Sequence, residues 1–63
     1  VIKWIIRCDD IYLLTLSGPL NKFPTWTHNI KSATRYFYVE QAAEDCVHLF
    51  NSGEDVVLVP VED

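Results

Sequence analysis

Between residues 33 and 50 the hydrophobic period of the chain changes from strand-like to helix-like, and this constrains the fold more than any other feature. Apolar residues fall at Val39, Ala42, Ala43, Cys46, Val47, Leu49 and Phe50, the i, i+3, i+4, i+7 spacing of one helical face. Glu40, Gln41, Glu44, Asp45 and His48 fill the other side. Glu40 and Glu44 sit in the first half, where the partial positive charge of a helix N-terminus favours them. Asn51-Ser52-Gly53 ends the pattern, because Gly53 takes the left-handed conformation of a C′ residue without steric cost. Tyr38 stands where Ser, Thr or Asp would normally cap the first amides. The spacing predicts a helix over 39–52.

A chain of 63 residues is one domain with a thin core, since a chain this short buries only roughly 60% of the surface that it exposes when unfolded. Hydrophobic residues make up 49% of it, enough to fold despite a net charge of -4. Its apolar runs fall far short of the ~20 residues that span a bilayer, and no leader pattern precedes the first strand. A soluble intracellular protein is expected. The lack of Met means that the initiator was removed or that the sequence is a piece of a longer one. Cys8 and Cys46 both fall on expected core faces and read as buried free thiols rather than as a disulfide.

In chain order, Val1 to Arg7 alternates as a strand. Ile2, Trp4, Ile6 and Cys8 face the core, and Lys3 and Arg7 lie on a wetter side. Asp9-Asp10 is the turn of a hairpin. Ile11 to Leu16 is the second strand, with Tyr12, Leu14 and Leu16 on one face and Ile11, Leu13 and Thr15 on the other. Ser17 to Thr25 reads as a loop, its Leu20 and Phe23 folding back as a lid. Trp26 to Ala33 supports one helical turn after a short extended piece. Thr34 to Phe37 suits a third strand, and Val56 to Val61 a last one, with Pro60 ending it or marking a sheet edge. The order β-β-β-α-β predicts an α+β fold, a mostly antiparallel sheet of three or four strands with one helix on it.

The stretch from Trp26 to Phe37, Trp-Thr-His-Asn-Ile-Lys-Ser-Ala-Thr-Arg-Tyr-Phe, and the following Glu40-Gln-Ala-Ala resemble a pattern of small bacteriophage and prophage accessory proteins. There, an opening strand of the Val-Ile-x-Cys type and a Tyr-Leu strand precede an aromatic, an Asp-Ile-x-x-Ala-x-x-Phe motif, a Ser or Thr cap and a Glu-rich helix. Here Asn29 replaces the Asp and Tyr38 replaces the cap. Ile30, Ala33 and Phe37 correspond to packing positions. The resemblance implies no catalytic residue. It implies a phage-encoded protein that acts by binding a host protein.

The residues themselves offer little chemistry. His28, His48, Cys8 and Cys46 form no metal-ligand spacing, so neither metal nor cofactor is expected. Cys46 and His48, two apart on a helix, point to different sides and make no nucleophile and base. Phosphate-binding loops and nucleophile elbows are absent, and no enzymatic activity is expected. Nucleic acid is the alternative partner, through Lys3, Arg7, Lys31, Arg35 and stacking on the aromatics. The net charge of -4 opposes it, and the core pattern claims Trp4, Tyr12, Phe37 and Phe50.

Charge is split along the chain. Every basic residue precedes position 36, whereas Glu40, Glu44, Asp45, Glu54, Asp55, Glu62 and Asp63 follow it. A protein-binding module is therefore expected, with Trp26, Tyr36, Tyr38, Glu40, Glu44 and Asp45 as partner-binding residues and a basic host protein as the partner. Homodimerisation through the apolar edge of the last strand is a further expectation.

Overall fold

The computed structural model describes residues 1–17 and 23–62. Among these residues are four strands and one α-helix: β1 (Ile2–Cys8), β2 (Ile11–Ser17), β3 (Phe23–Thr27), α1 (Val39–Asn51) and β4 (Val57–Glu62). A single 3-10 turn, Ile30–Ser32, follows β3. The sheet is antiparallel in the order β3-β2-β1-β4. The expected α+β fold and the order β-β-β-α-β are both present.

The third strand is not the expected one. β3 occupies Phe23–Thr27, which the sequence reads as the end of a loop and the start of a short extended piece, and pairs with β2 from Ser17↔Phe23 to Tyr12↔Thr27. The stretch from Thr34 to Phe37 makes only an isolated bridge, Trp4↔Tyr36. It lies where β1 and β2 part company. Tyr36 exchanges both backbone bonds with Trp4, at 2.9 and 2.8 Å, while the Thr34 amide donates to the Leu13 carbonyl at 3.0 Å. Its β-branched and aromatic residues thus satisfy two diverging strands with backbone bonds instead of extending a ladder.

Cys8↔Ile11 closes the first hairpin over Asp9 and Asp10. Asp9 takes a φ of 54°, a left-handed conformation that Asp tolerates better than most residues. Next comes a correction to the reading of β2. A register shift between Leu13 and Thr15 inserts an irregularity into the ladder. Because strand side chains alternate, one such step reverses the faces beyond it. Leu13 and Leu16, read on opposite faces, therefore both reach the cluster of Ile6, Leu13, Leu49 and Val56.

On β1, Ile6 points into that cluster as expected. Ile5, on the alternate face with Lys3 and Arg7, is also fully buried and lies opposite Val59. Both faces of the sheet are thus covered at its middle, and the wet side is wet only at its rim, where Arg7 is exposed. Phe37 and Phe50 were assigned to the core by the sequence pattern, but both are about two-thirds exposed, at 66% and 65%. Ile30 is exposed as well, whereas Ala33 is buried. Phe23, expected as part of a lid, is exposed on β3, and Leu20 lies outside the described residues.

α1 ends as the sequence predicts. Gly53 has a φ of 96°, its amide donates to the Phe50 carbonyl at 3.1 Å, and the Glu54 amide donates to that of Leu49 at 3.0 Å. These are the two bonds of a Schellman motif, which satisfy carbonyls that the last turn would otherwise leave open. At the other end, Tyr38 holds the N-cap position with an extended backbone and no side-chain hydrogen bond. The preceding 3-10 turn is better capped, since Asn29 Oδ1 accepts from the Lys31 amide at 3.0 Å. Asn29 thus performs the capping of this turn.

Both outer strands carry a proline, Pro24 in β3 and Pro60 in β4. Trp4 directs its N–H and C=O to Tyr36, away from β4, so the Trp4↔Pro60 pair is not hydrogen-bonded. The donor that Pro60 lacks would therefore have pointed outward from the sheet. Of the two readings of Pro60, strand end or edge, the edge is realised.

Candidate protein-interaction surface

α1 packs over β1 and β4, and its sheet-facing stripe consists of Ala42 and Leu49, both buried, with Cys46 half-buried. A helix on a sheet covers only one arc of its circumference, and the apolar arc here is wider than that. Val39, Ala43, Val47 and Phe50 form a second stripe at helical spacing. Of these, Val47 is 58% and Phe50 65% exposed, and Val39 is also exposed. Sequence reasoning merged this stripe with the core face. The signal that separates them was present, because seven apolar positions in a 13-residue helix are more than one seam can bury.

The six residues expected at an interface divide between two situations. Tyr38 is exposed at the N-cap, and Glu40 and Glu44 are exposed on the outer side of α1. Glu40 and Glu44 precede Ala43 and Val47 by three positions, so these carboxylates border the apolar stripe. Tyr36, Asp45 and Trp26 are half-buried instead. The Tyr36 hydroxyl donates to Asp45 Oδ2 at 2.6 Å, tying the segment that bridges β1 and β2 to the middle of α1. Trp26, on β3 opposite Leu13, packs against the core cluster.

On the other side of the segment, the Lys3 ammonium lies 4.7 Å from the centroid of the Phe37 ring, a cation–π contact. Arg35 Nη1 donates to the carbonyls of Ile30 and Ala33 at 2.7 and 2.8 Å and so closes the 3-10 turn. Two of the cations on which a nucleic-acid surface would draw thus have contacts within the fold.

Three groups, Tyr36, Cys8 and Cys46, are held toward their neutral forms. Burial, then the Asp45 hydrogen bond and charge, push the Tyr36 phenol well above its usual range. Burial, followed by the carboxylates of Asp9 and Glu54, pushes the Cys8 thiol up, and burial alone does so for Cys46. Thiols kept from ionising are poor nucleophiles and poor metal ligands. Both cysteines are free and border the same core cluster. Among the described residues, no three His, Cys, Asp or Glu side chains converge as a metal site would require. Nor is any helix among them long and apolar enough to cross a membrane.

Comparison with protein-family models, curated proteins and solved structures finds no match to this chain. The reading of the surface therefore rests on its geometry.

Proposed function

We propose that this chain is a small non-enzymatic protein-binding module that meets its partner with the outer side of α1. One observation carries the reading: Glu40 and Glu44 stand exposed beside apolar side chains that the fold leaves uncovered, and Tyr38 is exposed at the N-cap of the same helix. Exposed aromatic and aliphatic groups supply the contact energy of protein interfaces, and bordering charges orient and speed the encounter. The resemblance of Trp26–Ala43 to phage accessory proteins supports a host protein as the partner, which the module inhibits or redirects by occupying a basic surface. Tyr36 and Asp45 take part indirectly, since their mutual hydrogen bond holds the helix and the bridging segment in place.

The test begins with capture of partners from a nuclease-treated bacterial lysate, followed by titration of the retained protein. Reversing two charges with Glu40→Lys and Glu44→Lys is expected to weaken binding about tenfold and to flatten its dependence on salt, with the melting temperature unchanged. Equal affinity of the reversed variant would refute the reading. Retention that vanishes with nuclease would replace it with nucleic-acid binding through Lys3 and Arg7.

A further inference from the structure

We infer that the stripe of Val39, Val47 and Phe50 is the anchor of this interface, and that it seats in an apolar groove bordered by Lys or Arg side chains. The inference rests on the protein-binding reading and adds which residues supply the affinity and what chemistry receives them. Val47 and Phe50 are 58% and 65% exposed at successive turns of one helix. Glu40 and Glu44 run along the side of that stripe, one turn apart. A helix presented in this way is read by a groove through anchors at i, i+3, i+4 and i+7. The bordering carboxylates demand cations on the receiving rim, because like charges opposite them would cost several kcal/mol.

A second copy of the chain fits this surface poorly. Pairing two such stripes about a two-fold axis runs the helices antiparallel, with Val39 beside Phe50 of the second copy. Glu44 would then face Glu44 of the second copy across the axis. Edge pairing is hindered as well, since β3 and β4 each carry a proline.

The experiment uses a defined probe, a fluorescent helical peptide with a Leu stripe flanked by Lys, and a control with Glu in place of Lys. Anisotropy titrations of the full chain are paired with sedimentation and thermal melts. The Lys peptide is expected to bind and the Glu peptide not. The double variant Val47→Ser/Phe50→Ser should weaken binding about tenfold while melting normally, and Val39→Ser, at the other end of the stripe, should weaken it less. If the Lys peptide binds but only Glu40→Lys/Glu44→Lys reduces it, the anchor assignment is overturned and the acidic-side reading survives. Failure of the Lys peptide to bind also overturns the inference, while a lysate partner sensitive to Glu40 and Glu44 would still support the broader function. A dimer that Val47→Ser/Phe50→Ser dissociates would make a second copy the occupant and overturn it as well.

Discussion

Tyr36 is the residue on which the two layers of the molecule depend. Its backbone completes β1 at Trp4 and its hydroxyl reaches Asp45 on α1 at 2.6 Å. Removing the hydroxyl with Tyr36→Phe is expected to cost roughly 1 kcal/mol, the size of a partly exposed hydrogen bond to a charged acceptor. Proton linkage provides a second readout. The folded state raises the pKa of this phenol above its ordinary 10.0. The contribution is therefore fully present below pH 10.0, and it is lost as pH rises further, where the unfolded chain releases the proton and the folded chain retains it. Cys8 and Cys46, raised from 9.0, act in the same direction. Urea denaturation at a series of pH values should show stability falling through the alkaline range, and Tyr36→Phe should reduce that slope above pH 10.0. An unchanged slope would mean that the phenol is not linked to folding.

Among the elements, the edge strands decide whether the sheet can grow. β4 offers Val57, Val59 and Val61 in a row, a composition prone to pairing with another chain. Pro60 interrupts its outward row of donors, and Pro24 removes a donor from the opposite edge strand. Replacing the first of these by Pro60→Val restores an outward N–H without disturbing a bond to β1, because the Trp4↔Pro60 pair is not hydrogen-bonded. The variant is expected to remain folded yet to associate with rising concentration, as measured by sedimentation velocity. A strictly monomeric variant would show that the proline is not what protects the edge.

For the whole molecule, the small number of fully buried side chains sets the stability. Ile5, Ile6, Leu13 and Leu49 are the largest of them, and Leu49 is the residue of α1 that enters the buried cluster with Ile6, Leu13 and Val56. Leu49→Ala should cost about 3 kcal/mol through lost burial and a residual cavity. Domains of this size hold on the order of 5 kcal/mol in total, so most of the stability would go. Calorimetry should find the melting transition lowered by well over 10 °C, since each kcal/mol shifts it by roughly 4–8 °C in small domains. The exposed Val47 and Phe50 should behave oppositely, with Ser substitutions leaving the transition almost unmoved.

The sequence by itself determined the features that depend on neighbours along the chain. The period of 39–50 made α1, Gly53 stopped it, and Asp9-Asp10 turned the first hairpin. Each follows from backbone geometry within a few residues, which local spacing records. Of the candidate interface, the exposure of Glu40 and Glu44 was legible for the same reason, as charge on a helix side opposite apolar spacing. Tertiary structure alone decided the rest. Phe23–Thr27 became a strand because β2 offered it a ladder, and the segment 33–37 was left a single bridge where β1 and β2 diverge. The irregularity after Leu13 reversed the faces of β2, an effect that alternation in sequence cannot display. Whether Phe50 was core or surface depended on how wide an arc of α1 the sheet could cover. Burial is a property of what lies opposite, and residues distant in the chain supply it.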